Sequence, residues 1–514
     1  MVFGSSEWYE MVSGTLVVLC HEELGREPDP SFFASGFYLA REQGYTSEQL
    51  RAWIQESDEW KEKHPVTPPE PPVEPPVEPE PSPVQRTQNE LQGTLRTDGK
   101  GFLDNSGYVI PVFLHAGDLF AIFTVDPAKA EEGVAEAAKA NYQGIRSWVS
   151  LNNLRKESNP WFLPPYYCVG PLVTPDYREK TKQFALLLDK YGLKWHWVPG
   201  GLDDLTRAQQ RQMFETVRDV AAEIGADKFG IFEACNECRD TTDRGDDDPK
   251  WLDELISIIR QRHPDSLYTL SSYTGTEDPV DLIPYNTKTK FVYVHGYRGG
   301  HISNKSDHRW TLAYEMIPIH MPTHRLLWDG EPCGPWTAPN PGSTTPPGKV
   351  KPYVSVQEND QEYDDESVAI IAAGSFIGRS GYTMMSGSGV RYTMPFLSGH
   401  FPGMLSVPRL AALLPRDLHT FDKLCHGGRR VSSDGWRVLE ATDDCRTDHA
   451  VHADGRFVVK LNSDRGGWHK IKVVRPFTGV IIHPGTGEQH PIDGTKGEIN
   501  VDMRWGRIIL GKCL

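Results

Sequence analysis

The chain lacks a long apolar run. Its longest uncharged apolar segment near the start, residues 14–20, is far too short to cross a bilayer, which excludes insertion there. The opening MVFGSSEWYE has neither a basic region nor an apolar core, so no Sec-type leader is evident. Positive charge is also scarce. Against 70 acidic residues stand 54 Lys and Arg, a formal net charge of −16, which argues against nucleic acid or an anionic membrane as partner. Cysteine is sparse: eight scattered over 514 residues do not make a disulfide framework. No internal repeat interrupts the chain.

What remains is ample for a globular protein. Hydrophobic residues make up 38% and charged ones 24%, and the length allows two or three domains with a large core. Residues 1–64 read as a small helical domain. Trp8, Met11, Val12, Leu16 and Leu19 recur at helical spacing, a second helix is expected over 31–43, and Ser47 caps a third over 48–62. Residues 65–83 then hold ten prolines and four glutamates, a polyproline-type spacer reaching up to about 60 Å. With its flanks it forms a linker over 65–86.

From residue 87 to 426 strands and helices alternate. GFLDNSGYVIPVFLHAGD reads as a hairpin turning at Asp104–Gly107 followed by a first strand. Seven further apolar strands follow: GIRSWVSL, KWHWVPG, FGIFEA, YTLSSY, FVYVHGY, RLLWDG and GYTMMSG. Helices are expected over 127–141, 175–191, 206–224, 249–263, 308–317 and 364–377, with 405–424 supplying the last. Eight strands alternating with helices predict an α/β fold closed as a (β/α)8 TIM barrel. After residue 427 the period changes to two, and FVVKLN, HKIKVVRPF, GVIIHP, EINVDM and RIILGK predict a C-terminal antiparallel β-sandwich over 427–514. Trp468 and Trp505 are the only tryptophans within those five strands and their turns; without an exposed aromatic platform, a structural role is expected of the domain.

Catalytic groups of such barrels sit where the strands run out into their loops. There the chain places Arg146 on the second strand, His196 on the third, Asn236 and Glu237 after the fourth, His295 and Tyr297 after the sixth, and Glu331 after the seventh. Two strand-terminal carboxylates on one face can share one substrate atom, as glycoside hydrolysis requires. The ordered set resembles the clan A glycoside hydrolases, most nearly the family 5 cellulase-like enzymes, over residues 91–424. The resemblance implies a retaining β-glycoside hydrolase acting on a polysaccharide or oligosaccharide, with Glu331 as nucleophile and Glu237 as acid/base. It further implies Arg146 holding Glu331 ionised, Tyr297 donating to Glu331, Asn236 on the sugar 2-hydroxyl, and His196 and His295 binding substrate or orienting partners. That family carries a tryptophan after the eighth strand. Here Tyr382 and Met384 stand instead, and Trp336 is the candidate replacement platform.

Other features are weaker. Cys235 and Cys238 bracket Glu237, but a zinc site needs further ligands, so packing thiols are expected. The acidic run Asp243–Asp248 lacks the spacing of a calcium loop and reads as a solvated turn. Glu233 lies inside the fourth strand: either it is a carboxylate within the barrel or the strand is misregistered. No metal and no cofactor are expected. The segment LGREPDPSFFASGFYL with LRAWIQESDEW resembles a short helical domain of surface, secreted and phage proteins, which implies an attachment partner and leaves an extracellular or virion-associated place open. The rival to an enzyme is a non-catalytic glycan-binding or virion structural protein on a barrel scaffold.

Overall fold

The computed structural model describes residues 6–24, 47–55, 57, 84–117, 119–149, 176–199, 206–235, 249–269, 271–272, 291–294, 326–329, 365–378, 381–385, 403–424, 437–440, 445–462, 467–503 and 506–514. The chain divides into two compact units, 1–82 and 83–514. In the first, helices α1 (Ser6–Leu24) and α2 (Ser47–Gln55) pack through buried Leu16, Leu19, Cys20, Leu24, Leu50 and Ile54. Arg51 clamps the pair from outside, donating to Glu22 at 2.6 Å and Glu23 at 2.9 Å. The helix expected over 31–43 lies outside the described residues, and α2 ends at Gln55, earlier than expected.

The second unit contains the barrel. Its strands are β1 (Val112–His115), β2 (Gly144–Trp148), β3 (Lys194–Val198), β4 (Phe229–Glu233), β5 (Leu267–Thr269 continuing as Ser271–Ser272), β6 (Phe291–Val294), β7 (Leu326–Asp329) and β8 (Gly381–Met385). The hydrogen-bonded order is 5-4-3-2-1-8-7-6-5, every pairing parallel, with the two parts of β5 serving the two ends. The sheet therefore closes, and all eight strands fall in the segments the sequence marks.

Alternation along each strand sorts side chains to two sides. In β3, Trp195 and Trp197 turn outward, the first stacking on Phe120 and Phe229, the second meeting Phe214 edge-on. The helices that cover this outer side are α3 (Leu119–Val125), α4 (Pro127–Lys139), α5 (Tyr177–Lys190), α6 (Arg207–Ile224), α7 (Pro249–Arg260), α8 (Asp365–Ile377) and α9 (Ser406–Leu413). Local chemistry sets their ends. Thr206 and Gln209 form a reciprocal capping box at the start of α6, and Gly225, at φ 104°, takes the left-handed turn that stops it. The helix expected over 308–317 lies outside the described residues. The last one is shorter than expected: Leu414 is extended ahead of Pro415, which disfavours helix at the preceding residue.

The barrel floor is closed by the hairpin Phe102–Asp104/Gly107–Val109, whose turn is held by Asp104 accepting from the Ser106 N–H at 2.7 Å and hydroxyl at 2.6 Å. Phe102 enters edge-on to Phe291 and Trp328, with ring centres at 5.7 and 5.1 Å. Phe113 and Trp328 fill the space above it because Gly144 and Gly381 have no Cβ. A methyl group at either position would collide with these rings. Arg86, the last residue of the expected linker, already packs on the barrel, donating to Lys190 O at 3.2 Å, and beside it the Thr87 N–H donates to Tyr191 O at 3.2 Å.

The C-terminal strands form two antiparallel sheets. They are β9 (Asp422–Leu424), β10 (Leu439–Glu440), β11 (Arg446–Val451), β12 (Arg456–Asn462), β13 (Gly467–Val473), β14 (Phe477–Ile482), β15 (Gln489–Asp493), β16 (Glu498–Met503) and β17 (Gly506–Cys513). One sheet runs β9-β11-β12-β17-β14-β15 and the other β10-β13-β16. Between them lie Phe457, Val459, Leu461, Ile471, Ile499, Val501 and Ile509. The strand β9 begins at residue 422, ahead of the boundary expected at 427 and inside the segment assigned to a helix. The opposite side of the larger sheet shares a core with α8, where Val458, Ala450 and Ile508 join Val368 and Ile370. Glu366 on α8 accepts from Arg507 at 2.6 Å and from the Gly506 N–H at 3.2 Å, and His483 lies 3.1 Å away.

Candidate active site

Seen from within the barrel, one layer of the wall carries a polar ring. In β1, β2 and β3, neighbouring register positions bring His115, Arg146 and His196 side by side. A register shift between β3 and β4 then sets Glu233 against them, paired across β4 and β5 with Thr269. The remaining strands contribute Tyr293, Trp328 and Thr383, whose hydroxyl accepts from Trp328 Nε1 at 2.8 Å and from the Tyr293 hydroxyl at 3.2 Å.

Glu233 is the hub. Its two carboxylate oxygens take a bidentate pair from Arg146, Nε to Oε2 at 3.0 Å and Nη2 to Oε1 at 2.9 Å. His196 Nε2 stands 2.8 Å from Oε2. All three side chains are 0% exposed. Burial by itself would raise the Glu233 carboxyl, but the Arg146 guanidinium and the His196 contact outweigh it and hold the group well below the usual carboxylate range. Glu233 is thus an ionised carboxylate inside the barrel, and the strand is in register.

The tautomers follow from the partners. A guanidinium only donates, so His115 Nδ1, 2.8 Å from Arg146 Nη1, accepts and carries its proton on Nε2. An ionised carboxylate only accepts, so His196 holds its proton on Nε2. Tyr293 braces the pair, its ring 5.5 Å beneath the Arg146 guanidinium carbon and edge-on to His196 at 5.1 Å. At the upper end of β2, Trp148 packs edge-on to His115 at 5.4 Å. The array is a fixed, charge-balanced platform across four adjacent strands, at the last residues of β1 and β4 and at mid-strand in β2 and β3.

Of the sequence-marked residues, Arg146 and His196 are brought together here. Asn236, Glu237, His295, Tyr297, Glu331 and Trp336 lie outside the described residues, as do Cys238 and the run Asp243–Asp248. Two expectations are corrected. Tyr382 and Met384 do not stand at the barrel mouth: by alternation they face outward, Tyr382 against Phe376, and Thr383 faces the interior. Cys235 is not a packing thiol but is disulfide-bonded, to a residue outside the described ones, since Cys20, Cys445 and Cys513 form no disulfide. Sequence reading passed over His115, Tyr293 and Trp148. Trp148 shares the parity of Arg146 and so its face of the strand, and this was the available signal.

The sequence matches no family model and no curated protein. Among solved structures, a glycoside hydrolase family 5 protein from Bacteroides vulgatus superposes with a TM-score of 0.53 at 11% identity, over 82% of this chain and 93% of that one. The shared fold is the (β/α)8 barrel. A β-glucanase from Saccharophagus degradans, in complex with cellotetraose, is similar at a TM-score of 0.44 and 13% identity, over 65% of this chain and 97% of its own. A family 27 β-L-arabinopyranosidase from Geobacillus stearothermophilus gives 0.44 at 11% identity, over 79% and 98%. No helix among the described residues is long and apolar enough to cross a membrane.

Proposed function

We propose that the protein is a retaining β-glycoside hydrolase that cuts a polysaccharide or oligosaccharide by double displacement. The observation that carries this reading is the buried Arg146–Glu233–His196 array on the inner wall of a closed parallel barrel. Glu237 follows Glu233 by four residues, and Glu331 follows the end of β7 by two. In this reading Glu331 attacks the anomeric carbon and Glu237 protonates the leaving oxygen, then activates water for the second step. Three of the five guanidinium N–H groups of Arg146 are taken by Glu233 and His115. In the same reading the positive charge of Arg146 also keeps the Glu331 carboxylate ionised as nucleophile. Asn236, His295, Tyr297 and Trp336 complete the sugar-facing surface. Enclosed at 0% exposure, His196 acts by orienting Glu233 rather than by touching the sugar.

The test is a pair of variants assayed on dinitrophenyl and unactivated β-glycosides. Glu331→Ala should lose turnover on both and regain it with added azide, releasing a product of inverted configuration. Glu237→Ala should lose roughly 100- to 10,000-fold on the unactivated substrate, form its covalent intermediate normally on the dinitrophenyl one, and release a β-glycosyl azide of retained configuration. Parental turnover by Glu331→Ala would place the nucleophile elsewhere and defeat the reading.

A further inference from the structure

The outer face of the small C-terminal sheet carries a feature that the barrel chemistry does not use. Strand β13 points Trp468, Lys470 and Lys472 to solvent, and β16 sets Asp502, Asn500 and Glu498 directly opposite them. Against the expectation that these strands lack an exposed aromatic platform, Trp468 is 74% exposed and is the only aromatic among the exposed large hydrophobic residues described; the others are aliphatic. Isolated aliphatic side chains on a surface carry no meaning. A flat indole standing clear on a sheet, flanked by unengaged hydrogen-bonding groups, is a different object.

The flanking charges are arranged selectively. Lys470 is paired with Glu498 at 2.8 Å and Lys472 with Glu440 at 2.7 Å, so both cations of this face are neutralised within it. The side chains of Asp502, across the ladder from Trp468, and of Asn500, one step along the same face, have no hydrogen-bond partner among the described residues. Among their described residues the two strands therefore offer one ring, one amide and one carboxylate, with both lysines paired. That set suits a neutral polyhydroxy ligand whose ring has an apolar side: a pyranose stacks on the indole while its hydroxyls reach Asp502 and Asn500.

We propose that this face is a second glycan-binding site, separate from the barrel, which holds a neutral polysaccharide chain of the class the barrel cuts. The choice of ligand rests on the glycosidase reading given above. The full-length protein, Trp468→Ala and the double variant Asn500→Ala/Asp502→Ala should be compared by depletion on acid-swollen cellulose, insoluble mannan, insoluble xylan and peptidoglycan, and by hydrolysis of a dinitrophenyl glycoside. On whichever solid the parent binds, retention should fall roughly tenfold in each variant, the effect of about 1.4 kcal/mol, while the rate on the soluble aryl glycoside stays parental. Because all three side chains are exposed, melting temperature should be unchanged, and the double variant serves if Trp468→Ala misfolds. Retention indifferent to these changes, or no retention of the parent on any of the four solids, overturns the site. Retention that depends on Trp468 without any hydrolysis would uphold this site and overturn the catalytic reading alone.

Discussion

Glu233 concentrates the residue-scale physics. A fully buried carboxylate is unfavourable by itself and becomes stable only through partners that match it, here two guanidinium donors and an imidazole. Removing it would leave Arg146 enclosed without its counter-charge. Glu233→Ala should therefore destabilise the barrel by about 3–5 kcal/mol in urea titration, with Glu233→Gln losing less because its amide oxygen still accepts one bond. The acid limb follows from the lowered carboxyl. In the unfolded chain the group titrates near 4.3, so its contribution to stability is complete above that pH. Below it the contribution declines as acid is added, until the folded carboxyl protonates. The stability of Glu233→Gln should accordingly fall less steeply than that of the parent between pH 4 and 2. Parallel acid titrations of the two proteins would refute the role.

At the scale of elements, what the sequence made legible and what it hid have physical causes. Strands were readable because a parallel barrel buries both faces, so FGIFEA and FVYVHGY appear as unbroken apolar runs. Helix starts were readable where capping chemistry is local, as at Thr206–Gln209. Hidden were the relations that exist only after closure. The partners Arg146 and Glu233 lie 87 residues apart, and Asp422–Leu424 is a strand only because β11 pairs with it. Most of the proposed sugar-facing residues follow strand ends and rest on their sequence positions and the family resemblance. Glycine spacing was likewise mute until the rings were in place. Gly381→Ala drives a methyl group into the Trp328 ring, and a loss of about 1–3 kcal/mol is expected, read as a lower denaturation midpoint with unchanged slope. An unaltered midpoint would mean that the floor of the barrel is loosely packed.

On the scale of the whole molecule, the two compact units meet at residues 82 and 83, directly after the proline-rich stretch. Since Arg86 and Thr87 already bond to the barrel, the cut that respects the fold falls at residue 83 and not at 86. A chain starting at Val84 should melt like the barrel-containing unit of the parent and keep its activity on soluble glycosides. Insolubility of that fragment would show that the helical unit is needed for folding. The opposite end behaves differently. The sandwich shares buried side chains with α8 and is tied to it through Glu366 and Arg507, so the barrel and the C-terminal sheets form one folding body.

The polar ring is unevenly distributed around the axis of the barrel. His115, Arg146, His196 and Glu233, all ionisable, come from β1 to β4, whereas Thr269, Tyr293, Trp328 and Thr383 on β5 to β8 meet them with hydroxyls and an indole. Among these described ring residues, one half of the cylinder holds the charge, and the other half keeps that charge dry. The first four strands alone would present an ion pair to water, where its attraction is weak and its geometry loose. Only when the neutral half closes over it does the same pair become a rigid part of the wall. The electrostatics of this barrel therefore belong to its second half as much as to the residues that carry the charge.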